Sequence, residues 1–164
     1  FIKDYYQKSP DNYRDFRLHL ISIGNDYVSQ QITTLANSQL GKTRVRISPP
    51  VARERALEIT RECNAVICCS LNETFAIYVG EGMFMGHVVL RNGSAGMEEQ
   101  LQESVNGYYI DEKDVNQFAS VIEKLLNKQK TTDKQLQAMG LASQKIIKPF
   151  AKHTYLNKIV ESKQ

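Results

Sequence analysis

Short apolar, β-branched runs alternate along the chain with segments in which apolar side chains recur every three or four residues. The second kind of segment predicts helices, because that spacing places the apolar side chains on one face. Strands that alternate with helices specify a parallel sheet covered on both faces, so we predict an α/β three-layer sandwich with a mostly parallel sheet. The predicted strands are Arg17–Gly24, Thr43–Ile47, Ala65–Ser70, His87–Arg91 and Gly107–Ile110.

Two helix starts near the C-terminus carry their own signals. Asp114 and Gln117 form a D-x-x-Q capping pair ahead of an apolar stripe. Thr132 and Gln135 form an equivalent capping pair ahead of the next apolar stripe. Residues 133–164 are therefore predicted to form the C-terminal helices.

Composition limits the class of protein. The 164 residues, 41% hydrophobic and 24% charged, predict one globular domain over residues 1–164. No apolar run is long enough for a transmembrane helix. A net charge of +3 without aromatic residues between the basic ones argues against nucleic-acid binding. Three cysteines without CxxC spacing predict reduced thiols and a cytoplasmic location.

The stretch Asn72–Gly86 places two carboxylates, Glu73 and Glu81, in an otherwise apolar run at the predicted carboxyl rim of the sheet, where ligands bind in such folds. A helix that begins near Thr74 puts them roughly 12 Å apart. That separation suits two hydroxyl clusters on one extended ligand, with a phosphate on the backbone N–H groups of Thr74–Ile77. The alternative is that Glu73 caps the helix and Glu81 lies on a solvated face.

A second interpretation of this stretch is a dinucleotide-binding loop. Gly80, Gly82 and Gly86 approximate G-x-G-x-x-G, but the third glycine comes one residue late. The next strand follows at once, which leaves no room for the crossover helix of a βαβ unit. We therefore predict a short helix in which the glycines permit close packing or the approach of a ligand.

Five sequence blocks occur in one order between Asn64 and Leu126. They are Asn64–Ser70; Glu73-x7-Glu81 followed by Gly82–Gly86; Val88–Arg91; Ala95–Glu99; and Val105–Ile110. Together they resemble the patterns "aDvfvlPS", E-x7-E with "EAMacG", "pVvat", "GGxxE" and "dGxnGxlv" of the group 1 family of retaining glycosyltransferases. The resemblance runs from about Arg17 to the C-terminus and implies a Rossmann-like domain, the donor-binding half of a GT-B architecture.

The resemblance also implies roles for individual residues. Glu73 would be the catalytic residue, holding the sugar and the leaving-group region, and Glu81 would accept hydrogen bonds from the ribose. The diphosphate would lie on the turn formed by Thr74, Phe75, Ala76 and Ile77, near Ser70, with the base against Pro49. No metal ion and no cofactor beyond the nucleotide-diphosphate sugar substrate is implied.

The implied activity is transfer of a glycosyl group, of hexosyltransferase type, to a glycan, lipid or protein acceptor with retention of configuration. We expect a missing N-terminal domain to supply the acceptor site, so the isolated domain should be inactive; the longer protein is expected in the cytoplasm or at a membrane surface. The alternatives are a non-catalytic nucleotide or sugar-nucleotide binding α/β module and, less directly, a small redox or regulatory α/β domain.

Some positions depart from the family pattern. Ala95 stands at the first glycine of "GGxxE", and His87 at the frequent proline before the fourth strand. The family's first strand, with the Arg and Lys that neutralise the diphosphate, is expected before Phe1, between the first and third predicted strands; Lys3 is no substitute for that Arg and Lys. The alternatives are direct pairing of those two strands or exchange of a strand between copies of the chain. Arg91 at the rim either reaches a phosphate or is a surface arginine.

Overall fold

Strands and helices alternate in the computed structural model, which describes residues 17–21, 27, 30–34, 45–127 and 130–152. The strands are β1 (Leu18–Ile21), β2 (Val45–Ser48), β3 (Ala65–Cys68), β4 (Val88–Arg91) and β5 (Gly107–Tyr109). The helices are α1 (Arg53–Arg61), α2 (Ile77–Phe84), α3 (Val115–Leu126) and α4 (Asp133–Ile147), followed by a 3₁₀ turn at Lys148–Lys152. All strand pairs are parallel, so the predicted α/β, Rossmann-like class is confirmed.

The chain divides into two compact units, Phe1–Glu58 and Ile59–Gln164. In the first unit β1 pairs with β2, with Leu18 opposite Val45. The His19 ring and the Ser48 hydroxyl, 2.8 Å apart, are hydrogen-bonded across these strands. Residues 27 and 30–34 are helical, as predicted after the first strand, whereas the predicted end of that strand at residues 22–24 lies outside the described residues.

In the second unit the sheet order is β3-β4-β5. All four residues of the central strand β4 are buried, because its neighbours pair with it on both sides and the sheet is covered on both faces. In the described residues β1 belongs to one sheet and β3 to another. They do not pair directly there, and the additional strand expected between them stays a prediction.

Helix α2 lies directly on β3 because Gly82 has no side chain. A Cβ atom at this position would collide with a Val66 methyl group. The contact brings Val79 and Met83, both fully buried, into one core with the strand residues. The core cluster consists of Val66, Cys68, Ala76, Val79, Met83, Val89, Leu101 and Ile147. The predicted packing role of a glycine in this stretch is therefore confirmed at Gly82.

Both predicted helix caps are present. Asp114 accepts hydrogen bonds from the backbone N–H groups of Asn116 and Gln117. The Gln117 side chain does not complete the box and instead accepts from the Asp111 N–H. At α4 the box is complete, with Thr132 and Gln135 bonding in both directions. Caps of this kind satisfy N–H groups that have no partner within the helix.

Helix α4 packs against the turn that joins α2 to β4. The Ser143 hydroxyl donates to the buried His87 carbonyl at 2.7 Å, and the Gln144 amide donates to the Phe84 carbonyl at 3.0 Å. Gly140 permits this approach, since a Cβ atom there would collide with the Gly86 carbonyl. With 15 residues, α4 is not a membrane span, and no other helix in the described part of the chain is long and apolar enough to cross a bilayer.

The hydrogen bond from Ser143 to His87 should contribute to stability. We expect Ser143→Ala to lower the free energy of unfolding by about 1–3 kcal/mol, because a buried carbonyl loses its donor. Ser120→Ala, on an exposed position of α3, is the matched control and should change it by less than about 0.5 kcal/mol. Urea unfolding followed by circular dichroism measures both; equal midpoints for the two variants would contradict the assignment.

Candidate functional site

The carboxyl ends of β3, β4 and β5 meet at one edge of the second unit, because parallel neighbouring strands end on the same side. Three loops leave this edge: Cys69–Ala76 after β3, Asn92–Leu101 after β4 and Ile110–Asp114 after β5. In open parallel sheets ligands bind at this edge. The site predicted from the sequence therefore lies on the first of these loops and on the helix that follows it.

The helix after β3 begins later than the sequence analysis predicts. Its first residue is Ile77 and its N-cap is Ala76, so the prediction of a start near Thr74 is wrong by three residues. The Ala76 carbonyl accepts hydrogen bonds from the N–H groups of Val79 and Gly80 and from the buried Gln100 amide at 2.9 Å. This cluster of donors holds the backbone at Ala76 and sets the first helical turn there.

No side chain caps this helix start. The alanine side chain has no acceptor, whereas Ser, Thr, Asp and Asn are strongly preferred at the N-cap position. The first N–H groups of a helix have no intrahelical partner, and together with the helix dipole they favour an anion. The first helical N–H groups are those of Ile77 and Tyr78, so of the predicted Thr74–Ile77 turn only Ile77 belongs to the helix.

The turn after β4 packs against the loop after β3. Gly96 has φ of 73°, and a Cβ atom at this position would collide with the Thr74 carbonyl. Both features require glycine, because side chains at positive φ are strained. The second glycine of the "GGxxE" pattern therefore has a packing reason here, while Ala95 at the first position is exposed.

Asn92 links all three loops from a buried position. Its Nδ2 group donates to the Ser70 carbonyl and to the Glu112 carboxylate, each at 3.0 Å. Its oxygen accepts from the Ser94 hydroxyl at 3.1 Å. Because a side chain that is 2% exposed joins three strand ends, the rim is held as one arrangement. Asn92 is a site-forming residue that the sequence analysis missed, and it falls between the strand block Val88–Arg91 and the turn block Ala95–Glu99.

The two predicted acids are partly exposed at different places. Glu73 lies on the loop four residues before α2, and Glu81 lies in the middle of α2 between the buried glycines Gly80 and Gly82. Since Glu73 is outside the helix, it does not act as its N-cap. The helical estimate of the distance between the two acids no longer applies, but both remain in the segment that borders the uncapped helix start.

Tyr78 is a second residue that the sequence analysis missed. Its hydroxyl donates to the Ile67 carbonyl of β3 at 3.3 Å. Burial is the main cause that raises the pKa of this phenol, and the neighbouring Cys68, Cys69 and Glu73 raise it further. The hydroxyl therefore stays protonated and keeps its donated bond, which places the tyrosine ring across the end of β3.

The other predicted binding residues have different surroundings. Phe75 is half-buried, and its ring lies 5.4 Å from that of Phe150, measured between centroids. Ile77 is exposed at the helix start, and Ser70 takes part through its carbonyl. Pro49 is exposed in the first unit. Within the described ranges, no group of three or more His, Cys, Asp or Glu side chains is placed to hold a metal ion.

Arg91 is not the surface residue that one of its two predicted alternatives describes, and the other alternative, reach to a phosphate, stays a prediction. Arg91 is fully buried, and one guanidinium nitrogen, Nη2, donates to the Ala95 carbonyl at 2.9 Å. Arg91 thus contacts the turn that Gly96 allows to pack against the loop after β3.

Comparisons with known proteins agree on one family. Residues 4–144 match the family model described as glycosyl transferases group 1. A D-inositol 3-phosphate glycosyltransferase from Xylanimonas cellulosilytica is 28% identical over 103 residues, which are 63% of this chain and 25% of the relative. The chain therefore spans about a quarter of the length of that curated relative.

Two solved structures are similar in fold. The C-terminal domain of a glycosyl transferase group 1 family protein from Francisella tularensis has a TM-score of 0.74 at 15% identity, covering 93% of this chain and 78% of that one. HepE from Anabaena, solved in complex with UDP-glucose, has a TM-score of 0.70 at 18% identity, covering 89% of this chain and 40% of that one. At these identities the likeness is one of fold.

The contact between Gly96 and Thr74 is open to a direct test. Gly96→Ala should lower the free energy of unfolding by about 2–4 kcal/mol, because the added methyl group meets a carbonyl at a strained φ. The matched control is Gly93→Ala in the same turn, where the nearest atom to a new Cβ is a Tyr109 ring carbon at 3.3 Å. It should cost less than about 1 kcal/mol. Equal losses in chemical denaturation would show that the turn adapts and that Gly96 is not required.

Proposed function

The chain belongs to the group 1 glycosyl transferases, and from that membership we propose that it binds a nucleotide-diphosphate sugar. In the longer protein it would take part in transfer of the glycosyl group to an acceptor with retention of configuration. The observation that carries this proposal is the uncapped start of α2 at Ala76, with an acid on each side of it, at the carboxyl rim of a parallel sheet. HepE, similar in fold, was solved with UDP-glucose, which makes UDP and UDP-glucose suitable probes.

Three parts of the donor would meet three parts of this site. The diphosphate would accept hydrogen bonds from the first N–H groups of α2, where the helix dipole also favours negative charge. Glu81 would accept from the ribose hydroxyls and Glu73 from the sugar, since carboxylates are strong acceptors for paired hydroxyls. No metal ion would be needed to hold the phosphates.

The same geometry would serve the chemical step. When the bond between the sugar and the diphosphate breaks, negative charge grows on the leaving phosphate. Fixed N–H groups aimed at that charge stabilise it more in the transition state than in the ground state. Glu73, beside the anomeric region, would orient the sugar and favour positive charge developing on it. Cleavage would leave a nucleoside diphosphate on the helix start and the glycosyl group at the acceptor.

The roles of the two acids can be separated by the ligand each variant loses. We expect Glu81→Ala to weaken UDP and UDP-glucose alike, by about 10-fold or more, because both contain ribose and a charged hydrogen bond is lost. Glu73→Ala should weaken UDP-glucose by a similar factor and leave UDP within about 3-fold. Isothermal titration calorimetry of both variants with both ligands gives the four values.

The control for these variants is Glu123→Ala, another half-buried acid within a helix, which pairs with Lys130 at 3.5 Å. It should bind both ligands as the parent does, and near-parental melting temperatures should accompany all three variants. A Glu81→Ala variant that binds UDP as tightly as the parent contradicts the ribose assignment. Equal loss of UDP in the Glu73 variant would reassign that acid to the nucleotide.

The 164-residue chain should bind a donor without transferring its sugar. Positioning two substrates against each other contributes up to roughly 7–11 kcal/mol to such reactions, and in the GT-B architecture the acceptor lies on the other domain. Incubation with UDP-glucose and a panel of glycan, lipid and peptide acceptors, read by mass spectrometry, should yield no glycosylated acceptor. Slow hydrolysis of the donor is compatible with the proposal, whereas repeated turnover onto an acceptor by this chain is not.

A further inference from the structure

Arg91 carries a positive charge that the described part of the protein leaves uncompensated. The residue is fully buried, and a guanidinium group stays protonated in proteins. Nη2 has its bond to the Ala95 carbonyl, but Nε and Nη1 are buried without a hydrogen-bond partner. No ion pair between Arg91 and a carboxylate occurs among the described residues. A buried charge in this state is costly unless something pairs with it.

The side chain lies on the face of the sheet that α2 covers. Residues two apart in a strand point to the same face, so Arg91 shares the face of Val89. Val89 packs in the core cluster with Ala76 and Val79 at the start of α2. Arg91 is the last residue of β4 and pairs with Cys68, so it lies at the carboxyl rim, where α2 begins.

The turn that contacts Arg91 also lies next to the start of α2. The Ala95 carbonyl that the guanidinium holds precedes Gly96, and Gly96 is seated on the Thr74 carbonyl. Thr74 is two residues before the N-cap Ala76. Two independent observations, strand alternation and the turn contact, therefore bring the unpaired cation to the positive end of an uncapped helix. Two positive groups together favour an anion that neither a side chain nor a cap supplies in the described structure.

We propose that Arg91 supplies the positive charge that holds the donor diphosphate at the start of α2. This inference rests on the proposed function and adds a residue for which the family pattern, with its small polar position at the end of that strand, gives no role. Because the guanidinium is covered, it acts through its electric field and through the turn it holds, as a positioning residue.

The test compares ligands that differ in charge but share the nucleoside. We expect Arg91→Met to weaken UDP binding by about 10-fold, UMP binding by less, and uridine binding by less than about 2-fold, since a field acts in proportion to ligand charge. Arg91→Lys should retain most of the UDP affinity. Lys124→Met is the control: its ammonium lies 4.2 Å from the centre of the Tyr108 ring, and removal should leave all three ligands unchanged.

The melting temperature of the free chain distinguishes an arginine that serves the ligand from one that serves the fold. If Arg91 serves the ligand, methionine of similar volume removes an unpaired buried charge, and the melting temperature of the free chain should stay equal or rise. A purely structural arginine predicts a lower melting temperature and equal losses for UDP, UMP and uridine. If the methionine variant does not fold, nitrogen-15 NMR of the parent provides the test. The Arg91 Nε–H signal can be identified because it is absent from Arg91→Lys. We expect this signal to shift when UDP is added and not when uridine is added.

The outcomes separate the two claims. Binding of UDP by the parent, with an unchanged affinity in Arg91→Met or an unshifted Nε–H signal, overturns the role of Arg91 and leaves the proposed function intact. Absence of UDP and UDP-glucose binding by the parent chain overturns both. A loss of affinity in Arg91→Met that increases from uridine to UMP to UDP supports the inference.

Discussion

The arrangement at the rim depends on the approach of the turn after β4 to the loop after β3. Gly96 has no side chain, and this allows the turn to rest on the Thr74 carbonyl. With Thr74 held there, the chain reaches Ala76 in an extended conformation, and α2 begins at Ile77. The start of α2, and with it the residues whose N–H groups lack a partner within the helix, follow from that contact. Asn92 extends the constraint to the third loop through Glu112.

Polar groups in this unit are divided between those that are satisfied and those that are not. Asn92, Asn106 and Ser143 are buried with their hydrogen bonds made, and Asn92 and Ser143 join segments distant in sequence. Arg91 is buried with most of its donors unused, and α2 begins without a side-chain cap. Arg91 and the helix start are both positive, and both lie at the carboxyl rim. An evolved domain tolerates such a local loss of stability where function needs it.

The second unit also shows how α4 and the site are connected. Ser143 and Gln144 bind the carbonyls of His87 and Phe84, which flank the turn between α2 and β4. Ile147 joins the core cluster beneath α2, and Phe150 stacks near Phe75 on the loop that carries Glu73. The C-terminal helix therefore fixes α2 from its far end while the turn at Gly96 fixes its start. Movement of α2, with Glu81 on it, would require α4 to move as well.

Local patterns in the sequence determined much of this protein. The β-branched runs became parallel strands, and the Asp114 and Thr132 caps start their helices as expected, because side-chain alternation and capping act over a few residues. The ordered blocks from Asn64 to Ile110 were enough to indicate the family. Tertiary structure alone decided where α2 begins, since Thr74 is held by Gly96 from twenty-two residues away. It also decided that Arg91 is buried and that Asn92 joins three loops. These outcomes depend on contacts between segments distant in sequence, and the spacing of neighbouring residues does not predict such contacts.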